Sequence, residues 1–149
     1  MGFDFRQTLE FERNIRQANR DLPIMLKKFL LKEGQRIIDQ TRRNTPVDTG
    51  ALRATWLLGN EETRVFTDEE GRQQSDVVRN ADIESVRVVG NDLQITIVNN
   101  MEYASYVEYG TSRMEGRYML TRSIAEVERN MPNRLRREFR RFLRGYGIG

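Results

Sequence analysis

The sequence predicts an α+β domain in which a long N-terminal helical region and a C-terminal helix pack a small antiparallel sheet. Three observations predict it. Apolar residues recur at helical spacing up to Asn44 and again from Leu120. Between these regions, residues 83–98 alternate apolar and polar, as a half-buried β-hairpin does. A proline-bearing corner, TPVDTGALRATW at Thr45–Trp56, separates the first helical region from the strands. A chain of 149 residues suits one domain, 1–149, with a modest core.

Met1–Gln7 reads as a short extended segment, with Phe3 and Phe5 on one side. Thr8–Arg20 reads as a helix with sparse apolar positions at Leu9, Phe11 and Ile15. Asp21-Leu22-Pro23 is a break or a fresh start, since Asp is a good N-cap and Pro suits a first turn. A second helix then runs from about Leu22 to Asn44. Leu22, Met25, Leu26, Phe29, Leu30, Ile37 and Ile38 form its apolar stripe, and Glu33, Arg36, Asp39, Arg42 and Arg43 its wet face. Gly34 weakens it locally.

Pro46 lacks an amide hydrogen and pushes Thr45 out of helical geometry, so the helix stops there. Asp48 or Thr49 can accept the free amides of the next turn, and Gly50 tolerates a tight reversal. Leu52 and Trp56 would tie the corner to the core. A strand near 54–58 follows. Residues 59–76 are polar and read as a long loop or hairpin tip.

In the hairpin, a two-residue turn at Asn91-Asp92 would set Val88 opposite Ile95 and Val86 opposite Ile97, all on one face. Glu102–Tyr109 reads as a short helix packed on the sheet through Tyr106 and Val107, with Gly110 ending it. Glu108, set among apolar neighbours, needs a cationic partner if buried; Arg53 and Arg117 are the candidates. The last helix spans about 119–144, with a stripe of Leu120, Ile124, Val127, Met131, Leu135, Phe139 and Phe142. Pro132 should kink or restart it near Asn130. Gly145, Gly147 and Gly149 end the chain in a frayed tail.

Composition removes several chemistries. The chain has no cysteine and no histidine, which excludes disulfides, thiolate catalysis, a Cys/His zinc site and a Ser-His-Asp triad. No metal site and no cofactor are expected. No apolar run is long enough to span a membrane, and the N-terminus lacks a signal-peptide core, so a soluble protein made in a cytoplasm is expected. The net charge of +3 hides a split. Glu61–Asp76 holds six carboxylates against two arginines, net −4. Arg134–Arg144 holds six arginines (Arg134, Arg136, Arg137, Arg140, Arg141 and Arg144) against Glu138, net +5. Such a chain can pair head to tail with its own copies or meet an anionic partner.

Two catalytic or binding readings arise from single features. Asp48-Thr49-Gly50 is the tripeptide of aspartic proteases, which in a small chain would demand a homodimer sharing a proton between two carboxylates. That fold is nearly all β, whereas helices flank the motif here, and no catalytic residue is assigned. The Arg-rich helix could serve a nucleic-acid-binding module through phosphate contacts. No aromatic residue interleaves on its basic side, so base stacking is not indicated.

Two separated motifs point elsewhere. TPVDTGALRATW, then VNNMEYASYVEYGTSR, then RYML opening the last helix, resemble the phage tail-component family of head–tail joining or tail-completion (neck) proteins. The matching positions are Pro46, Val47, Asp48, Thr49, Gly50, Leu52 and Arg53, then Tyr103, Ala104, Tyr106, Val107, Glu108, Gly110 and Thr111, and finally Arg117. The resemblance implies a structural virion protein and no enzyme. It implies a homo-oligomeric ring at the neck, six-fold by expectation and twelve-fold as the alternative. Its neighbours would be a portal-side adaptor or head-closure protein and a tail terminator or tail tube protein, with DNA passing through the lumen. Asp48-Thr49-Gly50 is then a structural corner: Asp48 caps the turn after Val47, and Leu52 and Trp56 pin the long helix to the sheet.

Overall fold

One helix, α1, runs unbroken from Phe5 to Asn44 in the computed structural model, which describes residues 5–45, 56–78, 81–99 and 104–149. At 1.5 Å per residue it is about 60 Å long. The break expected at Asp21-Leu22-Pro23 does not occur; Pro23 lies inside the helix. Proline there removes one backbone hydrogen bond. The C-terminal segment lies beside the helix here: Ile15, Ala18 and Leu22 line one cleft with Phe139, Phe142, Leu143 and Ile148. The extended N-terminal segment is corrected at Phe5–Gln7, which already belong to α1; Met1–Asp4 lie outside the described residues.

Among the described residues, eight short strands follow in antiparallel pairs. β1 (Trp56–Leu58) pairs with β6 (Ile97–Asn99), Leu58 facing Ile97. The pairing continues where Gly59 donates to the Thr96 carbonyl at 2.8 Å. β2 (Glu62–Thr67) and β3 (Gln73–Val78) form a hairpin across the acidic segment. A 3-10 turn at Ile83–Ser85 leads into β4 (Arg87–Val89), which pairs with β5 (Asp92–Gln94). The helix α2 (Ala104–Tyr109), the strands β7 (Gly110–Thr111) and β8 (Met114–Glu115), and the helices α3 (Met119–Glu128) and α4 (Met131–Arg144) complete the chain. The last helical region thus restarts at Asn130, with Pro132 in the first turn of α4.

The hairpin at 83–98 differs from expectation in register. Val88 faces Leu93 and Val89 faces Asp92, so the turn is Gly90-Asn91 rather than Asn91-Asp92. Gly90 takes φ +61, the positive value a tight hairpin demands at its first central residue. The second arm also divides. β5 stays with β4, while Ile95 turns inward and β6 joins β1. Val88 is 63% exposed, so the face expected to be buried lies in solvent at this end.

The core forms where α1 crosses β1 and α3. Ile38, Trp56, Leu58, Val107 and Met119 are its buried centre, with Leu31, Ile95, Ile97 and Leu120 against them. The helix approaches β1 so closely at Gly34 that a Cβ there would sit 2.7 Å from Leu58 Cδ1. Gly34 is therefore a contact point and not only a weak link. Polar groups in this core are satisfied locally. Thr41 and Thr45 hydroxyls donate to the carbonyls four residues back at 2.6 Å, and Ser123 does so on α3. Asn44 reaches from α1 to the Ser123 hydroxyl at 2.9 Å.

The C-terminus is not frayed. Ile148 and Tyr146 amides both donate to the Leu143 carbonyl. The Tyr146 ring packs edge-on against Phe142 at 4.9 Å, and its hydroxyl donates to the Asp21 carboxylate on α1.

Candidate functional site

The residues singled out by sequence fall into three groups in space. The first surrounds α2. Gly110 follows the last residue of α2 with φ +84, the left-handed conformation that ends a helix, as expected. The chain then makes the β7–β8 turn, in which the Thr111 hydroxyl accepts the Arg113 amide at 3.2 Å. It returns so that Arg117 and Tyr118 amides donate to the carbonyls of Val107 and Glu108. Glu108 is buried, 6% exposed. Its carboxylate accepts the amides of Leu120 (3.0 Å) and Thr121 (2.9 Å) and the Thr121 hydroxyl (2.8 Å).

Glu108 therefore caps the N-terminus of α3 from another helix. The free amides and the positive end of the helix dipole supply the compensation a buried carboxylate needs. The arginine partner proposed from sequence is not Arg117, which is exposed; Arg53 lies outside the described residues. Tyr106 is 57% exposed and Tyr109 67%, so Tyr106 faces solvent and does not pack on the core, while Val107 does. A six-residue helix can bury one side only, and Val107 and Glu108 take it.

The second group is the corner. Trp56 is buried, and its indole Nε1 donates to the Thr45 hydroxyl at 3.2 Å. The end of α1 is thereby joined to β1. Pro46, Asp48, Thr49, Gly50, Leu52 and Arg53, like Tyr103 of the second motif, lie outside the described residues.

The third group is charged. Glu33 is 1% exposed, not on the wet face. Arg134 Nε donates to its Oε1 at 2.8 Å and Nη2 to its Oε2 at 2.5 Å; Nη2 also donates to the Val127 carbonyl. The hydrogen bond to Glu33 raises the Arg134 pKa above its ordinary value, against the opposing effect of burial. Arg134 thus turns inward and clamps α4 to α1. The other five arginines of α4, Arg136, Arg137, Arg140, Arg141 and Arg144, are exposed. Sequence reasoning missed what α1 adds beside them. Lys32 and Arg36 line the same interhelical clefts as Arg137, and Lys28 lies one turn further along. Their spacing of four, at positions 28, 32 and 36, was the available signal.

The acidic segment is less negative at its surface than its sequence implies. Glu61 is buried, accepting the Leu58 amide at 2.9 Å. Asp68 organises the tip of the β2–β3 hairpin by accepting the amides of Glu70 and Arg72. Arg72 in turn lies 3.5 Å from Asp68 and contacts Glu70.

These groups make joints and charged faces. Among the described residues no set of three or more acidic residues is gathered to hold a metal ion, and no helix is long and apolar enough to cross a membrane. Comparison with curated proteins and with solved structures finds no match. A family model described as "Bacteriophage HK97-gp10, putative tail-component" matches residues 10–110, about two-thirds of the chain, from α1 through the first motif and into the second as far as Gly110. The matched stretch ends before α3 and α4. The chain belongs to this HK97-gp10-like family of tail components and is a structural protein of a phage virion.

Proposed function

We propose that the chain completes the neck of a tailed phage as a homo-oligomeric ring that joins the tail to the DNA-filled head. The observation that carries this reading is the family match over residues 10–110, which takes in both the Pro46–Arg53 and the Tyr103–Gly110 motifs. Six-fold closure is the expected stoichiometry, with twelve-fold as the alternative. One side of the ring would meet a portal-side adaptor or head-closure protein, the other a tail terminator or tail tube protein. No catalytic role is assigned to Asp48 or to any other residue.

The surface supports assembly on physical grounds. Leu9, Phe11, Ile15 and Ile24 are all more than two-fifths exposed along the first half of α1. Tyr106 and Tyr109 stand out from α2. Apolar and aromatic residues of this size, left in solvent on separate elements, suit a subunit whose faces are covered by neighbours.

Gold-labelled antibody against the chain, applied to purified particles, tests the position. Label confined to the head–tail junction is expected; label along the tail shaft or over the capsid would contradict the assignment.

A further inference from the structure

The basic face is broader than the C-terminal helix that announces it in sequence. Two adjoining clefts run between α1 and α4 and share Arg36, Arg134 and Arg137. Lys32 and Arg36 border them from α1; Arg136, Arg137, Arg140 and Arg141 border them from α4. All six side chains are exposed. Of the carboxylates in the same walls, Glu33 is held by Arg134 and also lies 3.6 Å from Arg36 Nε, and Glu138 lies 3.3 Å from Arg141. Six cations therefore face one other carboxylate. Residues four apart on a helix stand about 6 Å apart along its axis, so each helix presents a row of charge. The Glu33–Arg134 clamp fixes one row against the other.

We propose that this two-helix face binds the phosphate backbone of duplex DNA without reading its sequence. Duplex DNA carries about one negative charge per 1.7 Å of axis, a density that can engage both rows at once. Asn130 and Asn133, in the wall of the larger cleft, add neutral donors for phosphate oxygens. The other anionic surface on the page, the hairpin of a second copy, matches less well. Arg72 offsets Asp68 and Glu70 there, and Glu61 is buried, so its tip cannot balance six cations. The one aromatic residue lining these clefts, Phe29, is buried, so the clefts themselves offer no stacking platform for single-stranded bases. The face belongs to the isolated chain whether or not it closes into a ring, so the inference stands apart from the neck assignment.

The test is fluorescence anisotropy of the purified full-length chain with two labelled duplexes of unrelated sequence. Both duplexes should bind equally. If about five phosphates are neutralised, log affinity should fall against log salt with a slope near −4.5. Arg36→Ala/Arg137→Ala/Arg140→Ala should weaken binding by about tenfold or more and flatten the slope by about 2.7, with circular dichroism and melting temperature unchanged. Absence of salt-dependent binding would overturn the inference. So would a triple variant that binds like the parent, strong preference for one sequence, or tighter binding of single strands than of duplex. If the triple variant and a Glu69→Lys/Glu70→Lys variant both abolish self-association while duplex binding stays intact, the face is a contact between copies and the DNA reading fails. Head–tail joining that survives loss of duplex binding would leave the neck assignment standing on its own.

Discussion

Glu33 on α1 and Arg134 on α4, 101 residues apart in sequence, form a two-point ion pair, Nε to Oε1 at 2.8 Å and Nη2 to Oε2 at 2.5 Å. Their side chains are 2% and 16% exposed, so neither can turn back to water when its partner is lost. Removing one partner of a buried pair costs about 3–5 kcal/mol, whereas replacing both with apolar groups of similar volume is often near neutral; without Arg134, Glu33 keeps only the largely exposed Arg36, 3.6 Å away. Arg134→Leu and Glu33→Leu alone should each lower unfolding stability by that amount. The double variant should recover most of it. Chemical denaturation of the four proteins checks this, and additive losses would contradict the clamp.

Glu108 holds α3 to α2 by accepting three donors at the start of the helix. Glu108→Ala leaves the Leu120 and Thr121 amides without an acceptor in a partly buried place, at about 1–3 kcal/mol. Glu108→Gln keeps one acceptor oxygen and should lose less. The comparison of the two by thermal unfolding separates capping from mere volume. Equal losses would argue that the side chain acts only as filler.

Thr45 is a relay. Its hydroxyl donates to the Thr41 carbonyl and accepts from the Trp56 indole. Thr45→Val preserves shape but leaves the buried indole N–H without this acceptor, for a loss of about 1–3 kcal/mol. Trp56 is the only tryptophan, so its emission reports on the site directly. The parent should emit at short wavelength, as a buried indole does, and an exposed-type spectrum in the folded parent would contradict the packing described.

Tyr146 and Asp21 give the C-terminal turn a pH dependence. The hydrogen bond from Tyr146, and then that from Gln17, hold the Asp21 carboxyl below the ordinary carboxylate range. The same bond raises the Tyr146 phenol above its ordinary range. A depressed carboxylate contributes stability above its unfolded pKa and loses it as pH falls through the folded value. A raised phenol contributes below its unfolded pKa and loses it as pH rises through the folded value. The difference in melting temperature between the parent and Tyr146→Phe should therefore be flat across neutral pH and shrink at both acid and alkaline extremes. A difference that grows toward acid pH would contradict the contact.

Much of the architecture is legible in the chain because periodicity reports burial. Phe29, Ile37 and Ile38 announce the inner side of α1, and the same period, read strictly, also carries Glu33 and Thr41 inward at steps of four. Polarity alone had placed Glu33 outside, because a buried carboxylate is visible only once its arginine, 101 residues away, is in place. Pro23 reads as a break locally, yet α1 runs through it, and the Tyr146 hydroxyl ties the C-terminal turn to Asp21 beside it. The hairpin register went astray by two residues because Asn91-Asp92 and Gly90-Asn91 are both acceptable turns, and only the pull of Ile95 into the core separates them. Helical spacing puts Tyr106 with the core, but a helix as short as α2 has too few turns for spacing to fix a face. The joint at Glu108 was found as a buried carboxylate, while its partner, a helix N-terminus, has no side chain to betray it in sequence.

The most direct measurement is electron microscopy of phage particles assembled without this chain. A neck component predicts filled heads beside tails that fail to join, or tails with unfinished ends, and restoration of joined particles when the chain is supplied. Intact, infectious particles in its absence would contradict the account.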